Sequence, residues 1–250
     1  AKAAVQELQQ LYGQLPQLSA DLPLPQSSPV VQFYEQQVDY LVQAQRFTVY
    51  TPTGTELIHN IDFTLERGQQ VALMGASGLG KTTFLETVMG LRPHAKGQVR
   101  FSCRPDQVVL IGPQPFIGLG TIADFLRVVQ PNASDEQLWQ ALEQAQAAQF
   151  VSEQPDGLMT QLGTRGHGVS GGQAHRLALA RLFLTDPEVI LLDEPTAHLD
   201  SETRDAVLHA ILQFAQQRCL ILATHDEQVA TQLQQVWYLQ NQRLEQRGQA

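Results

Sequence analysis

Apolar residues along the 250-residue chain fall into two kinds of run. Residues 69–74, 189–192 and 219–223 are short, nearly continuous apolar stretches, the pattern of strands buried on both faces of a parallel sheet. Between them, apolar positions recur at three- and four-residue spacing. Residues 84–90 read as one helix and 134–150 as another. In the second, Ser134 with Gln137 forms a capping box, and Leu138, Ala141, Leu142 and Ala145 share a face. A third helix begins after Ser170, carries Leu177, Ala180, Arg181 and Leu184, and is ended by Asp186-Pro187. A fourth carries Val207, Ala210, Ile211 and Phe214, and residues 98–101 and 107–111 read as two further strands. Strand–helix alternation of this kind predicts an α/β fold with a mostly parallel sheet. Residues 112–176 carry no strand signal and read as a helical insertion.

The beginning of the chain differs. Val5, Leu8, Leu11, Tyr12 and Leu15 predict an amphipathic helix, and Pro16, Pro23, Pro25 and Pro29 make residues 16–29 a linker. The packed domain is therefore expected over 30–250, with 1–29 as helix and linker. Glutamine, about one residue in seven, is scattered through both kinds of run and reads as a surface habit. The net charge of −9 argues against a dedicated nucleic-acid binder. No apolar stretch reaches the roughly 20 residues that a membrane-spanning helix needs. Two cysteines, Cys103 and Cys219, make no disulfide framework and suit a reducing compartment. With Ala1 first and no signal peptide, the chain reads as a piece of a longer polypeptide.

Residues 75–83, GASGLGKTT, match the phosphate-loop pattern GxxxxGK[ST] with a strand before and a helix after. Gly75, Gly78 and Gly80 let backbone N–H groups turn around a phosphate, with Ser77 and Thr83 in the same cradle. The helix start adds its positive dipole end. Lys81 is expected to reach the β- and γ-phosphate oxygens and Thr82 to ligate Mg²⁺. Asp193 and Glu194 end a buried strand, where ligands of open α/β sheets bind. Asp193 can hold Mg²⁺ there, and Glu194 can act as general base on a water. Alone, such an acidic pair is more often a helix cap; beside a phosphate loop the odds reverse. Ser170, Gly171, Gly172 and Gln173 open another helix, as an N-cap with a turn or as a second anion site. One nucleotide does not need two such sites on one chain, so the second would serve a nucleotide bound by another copy.

Together these residues resemble the nucleotide-binding domain of ABC transporters, over about residues 31–245. Residues 169–173, VSGGQ, resemble the LSGGQ signature with Val for Leu; 75–83 are similar to Walker A and 189–194 to Walker B. Residues 197–200, AHLD, resemble the D-loop, and Gln114 in GPQ resembles the Q-loop glutamine. The resemblance implies a P-loop NTPase (RecA-like) core, an antiparallel β subdomain and a helical signature subdomain at about 115–176. It implies that Tyr50 stacks on adenine and that His225 binds the γ-phosphate and orients water. It further implies that Gln114 senses Mg²⁺ and water, and that Asp200 touches the phosphate loop of a second ATP-binding domain, identical or homologous.

Three features are similar to exporter-type half-transporters: Gly120-Thr121-Ile122, the TRGHG segment at 164–168, and the leading helix and linker. Residues 177–181 and 193–200 resemble cysteine/glutathione exporters of the cytochrome bd assembly type, whereas the short run between Gly90 and Gln114 resembles another exporter group. Thr164 stands where the family usually has Glu, and Gln114 lies one residue nearer Gly120 than usual. The resemblance implies a transmembrane domain in the same polypeptide, a place on the cytoplasmic face of a bacterial inner membrane, and no nucleic-acid partner. Soluble ABC ATPases of DNA repair or translation are the alternative; they need coiled-coil insertions, zinc sites or a tandem domain, and the motifs here are contiguous without a Cys cluster. A nucleotide sensor without turnover would need a lost base, and Glu194 is present.

Overall fold

The computed structural model describes residues 30–248, apart from 35–37, 164–168 and 198. The expected leading helix and linker, the TRGHG segment and His198 of the D-loop segment lie outside the described residues. The core is a six-stranded sheet built from β4 (Gln70–Met74), β6 (Val108–Ile111), β9 (Val189–Asp193), β10 (Cys219–Thr224), β11 (Gln235–Gln240) and β12 (Arg243–Gly248). Its order is β12-β11-β4-β10-β9-β6. All pairs are parallel except β11–β12.

The apolar runs are continuous because each face packs on a different core. On β4, Val71 and Leu73 face one cluster and Ala72 and Met74 the other. On β9, Val189 and Leu191 oppose Ile190 and Leu192 in the same way; on β10, Ile221 opposes Leu220 and Leu222. Both cysteines are buried, and burial pushes Cys103 up to about 11 and Cys219 to about 12, so they are packing residues.

One core lies against a second sheet of β1 (Val30–Phe33), β2 (Val42–Tyr50), β3 (Glu56–Leu65) and β5 (Ala95–Phe101), in the order β1-β5-β2-β3. It was expected to be antiparallel, and β2 pairs so with both β3 and β5, but β1 pairs parallel with β5. Helix α1 (Lys81–Val88) sits between the two sheets and starts earlier than the expected 84–90. An aromatic chain fixes it there: Phe47 to Phe84 at 6.3 Å between ring centroids, Phe84 to Phe63 at 5.8 Å, and Phe63 to Trp237 at 5.1 Å.

The other face carries the helices. The interval expected to be purely helical holds α2 (Ile122–Arg127), α3 (Asp135–Gln144) and α4 (Ala148–Ser152), and then the start of α5 (Gly171–Phe183). It also holds a two-stranded ribbon, β7 (Gly120–Thr121) with β8 (Gln161–Leu162), too short to leave a period-2 signal. The single helix expected over 134–150 is two. Gln146 takes a left-handed φ of 53°, the Ala147 N–H bonds Leu142 O at 2.7 Å and the Gln146 N–H bonds Glu143 O at 2.9 Å. This is a Schellman ending with glutamine in the place usually held by glycine, which hid it from the pattern. Helices α6 (Ser201–Phe214) and α7 (Glu227–Ala230) complete the fold.

Candidate nucleotide site

Sheet register brings the site together. Asp193 stands opposite Ala223, and Ala223 opposite Leu73, so β9, β10 and β4 end level with one another. Glu194, His225 and Gly75 come just after those ends and meet in one place, the carboxyl edge of a parallel sheet. Gly75 is packed on the back: an added Cβ would lie 2.9 Å from the Leu239 carbonyl oxygen of β11. At the other end of the loop Gly80 caps α1 with φ 94°, a conformation an L side chain strains to adopt. No side chain caps α1 and no acid occupies its first turn, so its leading N–H groups remain available to an anion.

Lys81 is buried. Its Nζ donates to the Gly75 carbonyl at 2.7 Å and lies 3.6 Å from Glu194 Oε1. Glu194 holds a left-handed φ of 52° and its N–H bonds Ala223 O at 2.9 Å, which turns its carboxylate back over the strand ends. His225 Nδ1 stands 2.9 and 3.0 Å from the two Glu194 oxygens. An ionised carboxylate only accepts, so Nδ1 carries the proton in this pairing. The base expected at 194 is thus held between a cation and an imidazole.

Asp193 is 2% exposed, and its Oδ2 has no hydrogen-bond partner. Burial raises its pKa above the usual carboxylate value; a hydrogen bond with the Thr82 side chain lowers it, the charge of Glu194 raises it and that of Lys81 lowers it. An orphaned, buried carboxylate oxygen beside a hydroxyl fits a small hard cation. Among the described residues no three His, Cys, Asp or Glu side chains form a metal cage. Two protein oxygens, completed by phosphate oxygens and water, match the habit of Mg²⁺.

A cleft of about 1140 Å³ opens beside this cluster. Ser77, Gln114, Ser170, Gly171, Gly172, Glu194 and His225 all line it, with Gln114 exposed on the loop after β6. The signature residues expected as either a cap or an anion site do form a cap. Ser170 Oγ accepts from the Gln173 N–H at 3.2 Å, and Gln173 Oε1 accepts from the Ser170 N–H at 2.8 Å. The Gln173 carbonyl is committed to that box. Gly171 and Gly172 border the cleft with open space where a Cβ would stand.

Tyr50 and Asp200 are among the expected residues that do not line the cleft. Tyr50 ends β2, half-buried, with Lys96 Nζ 5.4 Å from its ring centroid. Asp200 caps α6, accepting the Thr203 N–H at 2.9 Å, and that bond holds its carboxyl below the usual range. Sequence reasoning passed over Thr224 and Asp226 on either side of His225. The Thr224 hydroxyl accepts from the Asp226 N–H at 3.0 Å, and Asp226 caps α7 through the Gln228 N–H at 2.8 Å. The only signal for them was Asp just before a short helical run.

Known proteins resemble the chain in sequence and in fold. A family profile described as ABC transporter matches residues 58–197. The chain is 33% identical over 218 residues to the transport ATP-binding protein AarD of Providencia stuartii, covering 83% of this chain and 37% of that protein. It is 32% identical over 216 residues to the glutathione/L-cysteine transport system ATP-binding/permease protein CydD of Haemophilus influenzae, covering 83% and 36%. The structure of a bacterial Atm1-family ABC exporter with ATP bound superposes with a TM-score of 0.78 at 22% identity, over 97% of this chain and 44% of that one, a likeness of fold. The chain thus spans little more than a third of the curated relatives it matches. It belongs to the ABC transporter family, as an ATP-binding, ATPase domain.

Proposed function

We propose that the chain is the motor domain of an ABC exporter, driving transport by binding and hydrolysing ATP between two such domains. The observation that carries this reading is Glu194, held between Lys81 and His225 at the end of a buried strand that faces the phosphate loop. ATP lies on the loop with its phosphates at the start of α1 and its adenine on Tyr50, a stack worth about 1–3 kcal/mol. Lys81 leaves the Gly75 carbonyl for the β- and γ-phosphate oxygens. Glu194 takes a proton from the attacking water as the bond from the γ-phosphorus to the ADP oxygen breaks, and His225 orients that water and the γ-phosphate. Thr82 and Asp193 would hold Mg²⁺, which would supply positive charge to the phosphate oxygens, and Gln114 would sense it. A second ATP-binding domain brings its own signature residues onto the nucleotide, and Asp200 meets the partner's phosphate loop.

Residues 1–29 join this domain, 30–250, to a transmembrane domain of the same polypeptide, which places it on the cytoplasmic face of a bacterial inner membrane. The cargo class proposed is a small thiol such as cysteine or glutathione, on the strength of the CydD relative alone. Phosphate release from Mg-ATP tests the reading: wild type turns over, and Lys81→Ala, still folded by circular dichroism, loses at least about 100-fold, the scale of a lost phosphate-charge clamp. Absence of Mg-dependent turnover in wild type would overturn it.

A further inference from the structure

Arg204 is the candidate the site description leaves unused. It lies on the first turn of α6, one turn after Asp200, and its N–H bonds the Asp200 carbonyl at 2.8 Å. Its side chain is 21% exposed, and the guanidinium reaches three groups. Nε meets Asp205 Oδ1 at 3.0 Å on its own helix, Nη1 meets Asp226 Oδ2 at 3.2 Å, and Nη2 meets Gln228 Oε1 at 3.0 Å. Asp226 comes directly after His225, and its other oxygen caps α7. His225 in turn holds the Glu194 carboxylate. The chain of contacts therefore runs from the Asp200 segment through Arg204 to Asp226, His225 and Glu194, each link a hydrogen bond or a peptide bond.

We propose that Arg204 is a positioning residue for hydrolysis, fixing the His225 segment to the start of α6 so that His225 stays aligned with Glu194. This rests on the ATPase reading above. The fork geometry supports it: a planar guanidinium holds the carboxylate of Asp226 and the amide of Gln228 at once, which fixes an orientation as well as a distance. His225 is 66% exposed, so packing alone does not hold it. The segment that carries it is held within itself by the Thr224–Asp226 and Asp226–Gln228 bonds, and the Arg204 fork ties that segment to α6. Engagement of the Asp200 segment by a second domain would then act on the alignment of His225 through the same helix turn.

The test is single-turnover and steady-state hydrolysis by the full chain, with fluorescent-nucleotide affinity and melting temperature alongside. Arg204→Met is expected to lower kcat about tenfold with KM and nucleotide affinity within about twofold, the signature of a group acting only in the transition state. In a His225→Ala background the same substitution is expected to add no further loss, because it acts through that residue. Arg204→Lys keeps a charge beside Asp226 without the second tine and is expected to recover part of kcat; if Arg204→Met does not fold, the cycle is run with this variant. Wild-type kcat in Arg204→Met, or a loss that multiplies with that of His225→Ala, overturns the proposal. A wild-type chain without Mg-ATP turnover overturns the ATPase reading instead.

Discussion

The edge of the core sheet and the start of α5 both present a helix N-terminus to the same cleft, yet they are prepared differently. At the sheet edge charge is already wired: Lys81, Glu194 and His225 hold one another, and Asp193 is buried beside them with an unsatisfied oxygen. At α5 the capping side chains are spent on each other, Ser170 with Gln173, and beyond them it is two glycines, Ala174 and the buried His175 that line the cleft. The first region contains two carboxylates, an imidazole and a lysine; the second brings no carboxylate, Lys or Arg to the cleft. A region of the second kind adds to a reaction without being able to perform one. That is the division expected if each half completes a site whose other half lies on a second domain.

The largest effect that sharpens this contrast is Glu194→Gln. It keeps the size of the side chain and one accepting oxygen and removes the proposed base, so hydrolysis should fall by about 10²–10⁴ while ATP binding persists. Two ATP-bound domains should then accumulate as a dimer in light scattering; hydrolysis at the wild-type rate would assign the base elsewhere. Next comes complementation. Ser170→Asp retains an excellent N-cap but sets a negative charge against phosphate, so it should abolish activity without unfolding α5. Mixed with Lys81→Ala, which fails in the other half, it should restore roughly a quarter of wild-type phosphate release, since half of random dimers carry one intact composite site. A mixture as inactive as its parents would mean that the halves do not combine across chains.

The smallest effect concerns stability. Asp193→Asn removes a charge whose burial is unfavourable, so melting should rise by about 2–4 °C at neutral pH as Mg-dependent turnover is lost. The sign comes from the raised carboxyl: ionisation is disfavoured in the native state relative to the unfolded chain, so stability falls as pH rises past the ordinary aspartate pKa and the penalty is complete above the raised native one. Below the ordinary aspartate range both states are protonated, and the advantage of the variant should vanish there. An unchanged melting point at neutral pH would show the charge to be already compensated.

How much of this was legible depends on whether the residue's neighbours were local. The core strands announced themselves because burial on both faces leaves no polar interruption, and the phosphate loop because glycines, Lys and Thr must come in a fixed order. The second sheet was harder. In β2 the inward–outward alternation fails around Arg46, whose φ of 50° marks a bulge between Ala44 and Phe47. Such an irregularity depends on the partner strand, and no single strand encodes it. Likewise Gln146 ends a helix by its backbone and not by its residue type. In the site, Glu194 and His225 could be named, but their mutual contact comes from β9 and β10 lying side by side, and the resting place of Lys81 on the Gly75 carbonyl had no sequence signal at all.

The strand that leads into the phosphate loop, β4, takes both its sheet neighbours, β10 and β11, from the last third of the described chain. During synthesis, then, the stretch richest in nucleotide-binding residues leaves the ribosome long before its sheet partners exist. Its backbone donors stay unpaired by strands until residues 219–240 have emerged, and ATP cannot help to fold a chain that has no place yet to hold it. Chains cut short by a stop codon before β11 is made should therefore yield products without a phosphate site, whatever motifs they contain.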